Sequence, residues 1–489
     1  MTSRAQPDRV TSSDEQLRRT ELLAGAVVAL RELSGVITPL AQRFADRGHS
    51  LYLVGGSVRD AVLGRLGNDL DFTTDARPEV IVEVLGGWAD AVWDTGIDFG
   101  TVSAAKADQQ IEITTFRADV YDRVSRNPTV TFGDTLEGDL IRRDFRINAM
   151  AVRLGADGGQ EFCDPLDGLG DVLAGVIDTP ASPADSFNDD PLRMLRGIRF
   201  VSQLGFTLSE RTLAAITEMA GEIDRITAER VRMELDKLIC GEHPIEAVEL
   251  LVRTGLAERV MPEIPAMQLT IDEHHQHKDV YQHSLTVLRQ AIDLEEDGPD
   301  VVLRWAALLH DIGKPATRRH EPAGGVSFHH HEVVGAKMAR KRLRALKYPK
   351  AMVDDIAQLV YLHLRFHGYG DGKWTDSAVR RYVTDAGELL PRLNKLVRAD
   401  CTTRNRRRAR RLQENYDDLE RRIAQLQEAE DLSRVRPDLD GNAIMEILGL
   451  PPGPEVGQAW KFLKDLRLDA GPMSREEAQA ALLDWWAQR

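Results

Sequence analysis

Residues 53–74, LVGGSVRDAVLGRLGNDLDFTT, constrain the fold more than any other stretch of this chain. A short apolar run ends in two glycines, a helical pattern follows, and a second short run begins with two aspartates separated by one leucine. Side chains alternate between the faces of a strand, so Asp69 and Asp71 are predicted to point the same way. The pattern predicts a strand, a glycine turn, a helix and a second strand with two carboxylates on one face.

Two carboxylates that lie this close repel each other unless a cation sits between them. Mg²⁺ prefers a couple of carboxylates together with phosphate oxygens. Gly55 and Gly56 let the backbone approach a ligand closely, and Ser57 opens a helix whose free N–H groups can hold a phosphate. Arg59, in the first turn, can reach a phosphate or pair with Asp60. Together these features predict a triphosphate–Mg²⁺ site, although DLD alone is better explained by a solvent-facing polar strand.

Length and composition favour a multidomain globular protein. The chain has 489 residues, which is too many for one core, with 42% hydrophobic and 29% charged residues. Its three cysteines are far apart and suit neither a disulfide framework nor a cysteine-based zinc site. The polar N-terminus lacks a signal-peptide core, and the apolar run 22–30 is too short to span a bilayer. The sequence predicts a cytoplasmic protein with no membrane partner.

The charge distribution matters more than its sum. The net charge of −15 argues weakly against a nucleic-acid partner, because phosphate contacts need lysine and arginine. Arginines nevertheless cluster at 142–146, 193–199 and 404–411. The last cluster, RNRRRARR, is either a solvated helix face or a contact for an RNA backbone.

The order of patterns predicts several domains. Strand-like and helical runs alternate from 50 to 155, the Pro-, Ser- and Asp-rich stretch 178–190 predicts a linker, and helical spacing dominates from 191 onward. We predict an N-terminal extension (disordered lead, then helix), an α/β head, a connector, an all-α neck, a histidine-rich helical domain and a helical tail, at 1–34, 35–155, 156–188, 189–270, 271–405 and 406–489.

VGGSVRD followed by NDLDFTT resembles the first motif of the polymerase-β-type nucleotidyltransferases. It resembles most closely the tRNA CCA-adding enzymes and bacterial poly(A) polymerases of the second class. Further segments resemble that family in its order, from about 50 to 460: 112–152, 164–180, 189–200, 229–239 and 439–457. The resemblance implies a nucleotidyltransferase head, an all-α neck, an HD domain and a helical tail.

The resemblance also implies the chemistry. An RNA 3′-hydroxyl attacks the α-phosphate of a nucleoside triphosphate, pyrophosphate leaves, and Asp69 and Asp71 hold two Mg²⁺ ions. Glu112, on a later strand, is either a third carboxylate or an ordinary polar strand residue. The nucleotide-binding residues are predicted to be Gly56, Arg59, Arg143, Asp144, Asn148, Asp190, Arg193, Arg196 and Arg199.

In IRRDFRINAMAV, Arg142 and Arg143 are predicted to face triphosphate or sugar. Asp144 and Asn148 can hydrogen-bond ribose hydroxyls, since a carboxylate accepts and an amide does either. Outside the family context, the segment is better explained by a helix whose charged first turn is merely solvated.

Asp190 and Arg193 lie one turn apart, so they can meet the same ligand. An aspartate only accepts hydrogen bonds and an arginine only donates, which fits cytosine and adenine and mismatches guanine and uracil. Asp190 is also a good N-cap before Pro191. The resemblance implies that 117–132 is a flexible element that helps the site switch from C to A.

Histidines and aspartates at helical positions in the second half are the ingredients of an octahedral N/O metal site. The pattern resembles an HD-type phosphohydrolase domain. The resemblance implies a divalent transition metal held by His283, His310, Asp311 and Asp400, with His331 and His363 contacting metal or phosphate. Such a site either hydrolyses phosphomonoesters or 2′,3′-cyclic phosphates at RNA ends or is retained for stability alone.

The resemblance predicts an enzyme that builds or repairs the CCA end of tRNA from CTP and ATP. The alternatives are a poly(A) polymerase, an enzyme that adds only CC or only A, and an HD phosphohydrolase that uses the head to dock RNA. The sequence indicates no protein partner.

Overall fold

The computed structural model describes residues 12–117, 133, 135–268, 279–322, 325–366, 369, 374–401, 406–429 and 436–489. The predicted disordered lead and the predicted flexible loop beyond Arg117 lie outside the described residues. The chain divides into two units, residues 1–259 and 260–489, and each is described by itself.

The first unit is built on a mixed seven-stranded sheet, as the alternating pattern predicts for the head. Its strands are β1 (Leu51–Val54), β2 (Asp69–Thr74), β3 (Ala91–Trp93), β4 (Thr101–Lys106), β5 (Gln109–Thr115), β6 (Ala151–Leu154) and β7 (Gln160–Cys163). The spatial order is β3-β4-β5-β2-β1-β6-β7. Only β2 and β5 pair in parallel; the other neighbours are antiparallel.

Helices follow and flank the sheet. They are α1 (Ser12–Glu32), α2 (Ser34–Ala45), α3 (Gly56–Val62), α4 (Pro78–Leu85), α5 (Leu136–Ile141), α6 (Gly168–Ala174), α7 (Pro183–Asp189), α8 (Leu192–Leu204), α9 (Glu210–Met219), α10 (Ala228–Ile239), α11 (Pro244–Arg253) and α12 (Leu256–Val260). Two short strands, β8 (Val176–Ile177) and β9 (Thr207–Leu208), pair in parallel beside them.

Burial of one face of the sheet positions the predicted carboxylates on the other. Leu70 and Phe72 of β2 pack in one core with Ile81 and Val84 of α4. Burying each such side chain stabilises the fold by roughly 1.5–3 kcal/mol. Because side chains alternate, this packing turns Asp69 and Asp71 to the opposite face.

The sequence predicts a linker at 178–190. The structure instead shows that this stretch contains a helix, α7. Ser182 accepts a hydrogen bond from the backbone N–H of Asp185, and Pro183 occupies the first turn. Proline and serine therefore act here as helix-start residues. Phe187, fully buried, fixes the helix against its neighbours.

A carboxylate pair that shares Arg146 makes stability depend on pH. Arg146 contacts Asp171 at 2.8 Å and Asp178 at 2.9 Å. Burial raises the pKa of Asp171 from 3.8 to about 6, since Asp178 adds repulsion and Arg146 only partly opposes it. Because folding raises the pKa of Asp171, its carboxyl group stabilises the fold fully at pH values below its unfolded pKa of 3.8. This stabilisation is lost as pH rises through about 6.

We therefore expect the stability of Asp171→Asn, relative to that of the wild type, to increase as pH rises. The difference in melting temperature, variant minus wild type, should increase between pH 5 and pH 7.5, because the amide does not ionise. Thermal unfolding of both proteins across this range measures it. A difference that is flat or falls with pH would contradict the raised pKa.

The second unit is helical. Its helices are α13 (Val280–Ile292), α14 (Val301–Leu309), α15 (Lys314–Thr317), α16 (His331–Ala345), α17 (Lys350–Leu362), α18 (Asp376–Ala386), α19 (Leu390–Ala399), α20 (Arg406–Ala429), α21 (Gly441–Leu448), α22 (Pro454–Ala470) and α23 (Arg475–Ala487). Two antiparallel strands of two residues each, β10 (Arg319–His320) and β11 (Val326–Ser327), form a small hairpin.

The tail ends in three helices, one more than the pattern predicts. Ile444, Leu463 and Leu482, one from each of α21, α22 and α23, share a small core. Ser474 and Glu477 form a capping box that starts α23. By length and apolar character no single described helix could cross a membrane, although the bent pair Asp14–Glu32 and Ser34–Ala45 passes the same test as two segments at 84°.

Candidate active site and metal cluster

Three carboxylates share the open face of the sheet. Asp71 pairs in register with Glu112 of β5, so the two side chains are neighbours on one face. Asp69 is exposed and Asp71 half-buried, with the buried Leu70 between them. Burial raises the pKa of Asp71, opposed by Arg143 and reinforced by repulsion from Glu112 and Asp69. Clustered acids of this kind fit a divalent cation, which would relieve the repulsion.

The glycine turn after β1 brings an arginine to these acids. Gly55 has φ +69°, and a Cβ there would lie 3.0 Å from Arg143 Nη1 and 3.6 Å from Asp71 Oδ2. The backbone conformation therefore favours glycine, and any larger residue would also press on the Arg143 guanidinium. Ser57 ties α3 to β2, since its hydroxyl donates to the Asp69 carbonyl at 3.2 Å and accepts from the Asp71 N–H at 2.9 Å.

Asp139 is buried without exposure and positions the arginines of the next motif. Its two oxygens accept from Arg142 at 3.1 Å and from Arg143 at 2.9 Å, and one also accepts from the Arg117 N–H at 3.4 Å. Burial opposes ionisation of Asp139, but the two guanidinium groups outweigh it and lower its pKa. Asp139 thus anchors both arginines, of which Arg143 faces Gly55 and Asp71.

The residues predicted to meet the ribose form a buried polar chain. Arg59 Nη1 donates to Asn148 Oδ1 at 2.6 Å, and Asn148 Nδ2 donates to Asp144 Oδ1 at 3.0 Å. Arg196 contacts Asp144 Oδ2 at 2.6 Å. Burial opposes ionisation of Asp144, but Arg196 holds its pKa well below its usual range. Arg59 also pairs with Asp60, one of the two contacts that the sequence predicts for it.

The chain of charges continues onto α10. Arg199 Nε lies 2.8 Å from Glu234 Oε2, and both side chains are buried. Burial lowers the pKa of Arg199 to about 10, with Glu234 opposing the change. Arg199 also lies over the ring of Phe200, 4.1 Å from its centroid. It therefore braces α8 against α10 from the interior.

Asp190 and Arg193 lie one turn apart at the start of α8, as predicted, but each has its own partner. Asp190 contacts Arg230 at 2.8 Å. Arg193 donates to Ser186 Oγ at 2.8 Å and to the Arg142 carbonyl at 2.6 Å. Among the side-chain hydrogen bonds of the described residues, none joins Asp190 to Arg193.

In the second unit, six predicted residues converge on one cluster. His283, His310 and Asp400 place ligand atoms within 4.8 Å of one another, and so do Asp311, His331 and His363. Across the described part of the chain these are the only groups of three ligand residues so tightly placed.

Asp311, a member of the second group, also contacts the histidines of the first. Its Oδ2 is 3.5 Å from His283 Nε2 and 3.2 Å from His310 Nε2. Its Oδ1 is 3.2 Å from His331 Nε2 and 3.8 Å from His363 Nε2. Lys314 Nζ contacts Oδ2 at 2.6 Å. Burial opposes ionisation of Asp311, but His310 and its other partners hold its pKa well below the usual range.

The ring orientations suit metal coordination. The Nδ1 atoms of His310, His331 and His363 contact the carbonyls of the residues three positions earlier, at 2.8, 2.8 and 2.6 Å. A carbonyl only accepts, so Nδ1 carries the hydrogen and, in a neutral ring, Nε2 offers a lone pair. Burial lowers the pKa of His363 to about 3, which keeps that ring neutral at pH 7.

Three buried atoms of the cluster fit a cation. Among the described residues, Asp311 Oδ1, His331 Nε2 and His363 Nε2 have no hydrogen-bond partner, although they face one another. Facing acceptors cannot bond to each other, but they are the N/O donor set that a divalent transition metal takes. The donor chemistry therefore fits the metal that the HD resemblance implies.

Three family models match the chain in order. "Poly A polymerase head domain" matches residues 51–178, "Probable RNA and SrmB- binding site of polymerase A" matches 205–267, and "HD domain" matches 280–430. The chain is 32% identical over 450 residues to the A-adding tRNA nucleotidyltransferase of Deinococcus radiodurans, covering 88% of this chain and 95% of that one. It is 31% identical over 441 residues to the CC-adding tRNA nucleotidyltransferase of Thermus thermophilus, covering 88% and 93%.

A solved structure is similar over nearly the whole length. The Bacillus stearothermophilus CCA-adding enzyme in complex with CTP superposes with a TM-score of 0.68 at 25% identity, covering 93% of this chain and 98% of that one.

The fold and its sites define the class: a polymerase-type nucleotidyltransferase head followed by an HD domain and other helical regions. Both kinds of domain depend on divalent metal ions. Within that class, the chain belongs to the family of tRNA nucleotidyltransferases.

Sequence reasoning missed three residues that position the site, Asp139, Arg230 and Glu234, and it missed the bonds that tie Ser57 to β2. Asp139 leaves a signal, since it precedes two arginines by three and four positions and so can contact both. Arg230 and Glu234 lie in the segment 229–239 that resembles the family, but the sequence does not show their partners, which are 35 or more positions away in the chain.

Proposed function

We propose that this enzyme builds or repairs the 3′-terminal CCA of tRNA from CTP and ATP with release of pyrophosphate. The observation that carries the proposal is the convergence of Asp71 and Arg143 at the Gly55 turn, with Asp69 close enough to Asp71 to repel it. It is supported by relatives that add A, CC or CCA to tRNA and by the similarity to the CTP-bound enzyme.

Asp69 and Asp71 are proposed to hold Mg²⁺, with Glu112 beside them on the same face. The bound metal would acidify the attacking 3′-hydroxyl and neutralise charge on the leaving pyrophosphate. The Arg143 guanidinium lies beside the Gly55 turn, close to Asp71, where it can bind phosphate oxygens. Asp139 keeps that guanidinium in place.

Asp144 and Asn148 are proposed to position the sugar, braced by Arg59 and Arg196. Asp190 and Arg193 are proposed to select the base, one by accepting and the other by donating hydrogen bonds. Arg199, which pairs with Glu234, holds the helix that carries them. We also propose the domain boundaries predicted from the sequence. The arginine cluster at 404–411 is proposed to contact the tRNA backbone.

One assay tests the main proposal. A tRNA lacking its last three nucleotides is incubated with Mg²⁺ and each labelled triphosphate in turn. Two C residues followed by a single A support CCA addition. A long A tail indicates a poly(A) polymerase, and addition that stops at CC or requires a CC end indicates a partial activity. No incorporation overturns the proposal.

The six-residue cluster favours a second candidate activity, hydrolysis of phosphate esters at RNA ends by the HD domain. The facing lone pairs of His331 and His363 and the central Asp311 carry it. A transition metal bound there would polarise a phosphoryl oxygen and supply an activated water.

We expect His310→Ala to remove metal from the HD domain without stopping nucleotide addition. His310 is completely buried within the cluster, and its ring nitrogen belongs to one of the two ligand groups. Elemental analysis after metal removal and reloading measures the loss, and conversion of a 2′,3′-cyclic nucleotide to its 2′- or 3′-monophosphate measures hydrolysis. His320→Ala, at an exposed position of the hairpin, is the control. Equal metal content in both variants would contradict the assignment.

A further inference from the structure

The carboxylate of Asp190 is held at both oxygens. The backbone N–H of Leu192 donates to Oδ1 at 3.1 Å, which is a helix-capping contact. Arg230 donates from Nη2 to Oδ2 at 2.8 Å. The capping bond alone leaves Oδ2 free to swing, so the guanidinium contact decides where that oxygen points.

Helix α10 delivers Arg230 to this position. Arg230 lies in the first turn of α10, and Glu234 lies one turn later on the same helix. The buried contact between Glu234 and Arg199 fixes the register of α10 against α8. The Arg230 side chain itself is 50% exposed, so its removal leaves no cavity in the core.

Arg193, the donor of the predicted base-selecting pair, is positioned independently. Its guanidinium donates to Ser186 Oγ and to the Arg142 carbonyl, which belong to different elements. A change at Arg230 therefore perturbs the acceptor of the pair and leaves the donor in place.

We propose that Arg230 is a positioning residue for base selection, which fixes the Asp190 carboxylate so that it accepts from the exocyclic amino group of cytosine or adenine. The inference rests on the proposed function. Uracil and guanine present a carbonyl oxygen at that point, and a fixed carboxylate repels it. A carboxylate free to rotate turns away from that oxygen, so the penalty for the wrong base falls.

The test compares Arg230→Met and Arg230→Lys with the wild type. For each, kcat/KM is measured with CTP and with UTP on the same tRNA lacking its CCA end. Arg230→Met is expected to lower the CTP-over-UTP ratio about tenfold, as the loss of one charge-assisted hydrogen bond implies. Arg230→Lys is expected to keep more selectivity than the methionine variant, because its ammonium still donates to Oδ2.

Lys237→Met is the matched control, an exposed cation on the same helix. Its CTP-over-UTP ratio is expected to equal that of the wild type. An unchanged ratio in Arg230→Met overturns the inference, and so does an equal fall in kcat/KM with both nucleotides, which marks a merely structural role. If the wild type incorporates neither C nor A, the proposed function fails instead, before any variant is compared.

Discussion

Asp71→Asn is expected to lower nucleotide addition about a thousandfold or more while the protein stays folded. The amide keeps the size of the side chain but removes the charge that would hold the metal, and metal stabilisation of the transition state is worth several kcal/mol. The half-buried Asp71 carboxylate also faces Asp69 and Glu112, so the substitution relieves repulsion and does not destabilise the sheet. Labelled CTP incorporation into a tRNA without its CCA end measures the effect.

Glu83→Gln is the control for this experiment. Glu83 is exposed on α4, which covers the opposite face of the sheet. It makes the same change from acid to amide and is expected to leave incorporation intact. Residual activity of Asp71→Asn within tenfold of the wild type would show that the carboxylate face is not the catalytic site.

Asp139→Asn is expected to lower the free energy of unfolding by about 3 kcal/mol, because removing one partner from a buried charge cluster leaves the other charges poorly compensated. The completely buried carboxylate contacts both Arg142 and Arg143. Thermal and urea unfolding at pH 7 measure the loss. Because its pKa is lowered in the fold, the carboxylate stabilises above its unfolded value of 3.8, and the difference should shrink as pH falls below about 4.

The same substitution is expected to raise the KM for CTP, because Arg143 loses the anchor that holds it at the Gly55 turn. Glu137→Gln, an exposed acid on the same helix, is the control and should change neither stability nor KM. Stability and KM both equal to the wild type in Asp139→Asn would refute the anchoring role.

Local patterns predicted the elements of the head well. The alternation in DLDFTT set which side of β2 is buried, since Leu70 and Phe72 can only face the core. Gly55 predicted a turn, and the structure shows the positive φ that such a turn needs. The linker prediction at 178–190 failed because serine and proline start helices as well as interrupt them.

The site itself was predicted as a set of residues but not as a set of contacts. Asp190 and Arg193 were expected to work as neighbours, yet each is oriented by a residue from elsewhere in the chain, Arg230 in one case and Ser186 in the other. Similarly, the motif around Asp144 was recognised, but its link through Asn148 to Arg59 crosses 89 positions of sequence.

The sequence by itself determined which strand faces carry carboxylates and which helices carry the histidines, because periodicity is a property of neighbouring residues. The tertiary structure decided how those groups are held: Asp139 under its arginines, Asp311 between two pairs of histidine rings, Arg230 on Asp190. The Arg230 and Asp311–histidine contacts join residues far apart in the chain, and even Asp139, close to its arginines in sequence, has a lowered pKa only because packing places both guanidinium groups against its buried carboxylate. All three arrangements depend on how whole helices and strands pack together, which the local spacing of residues does not specify.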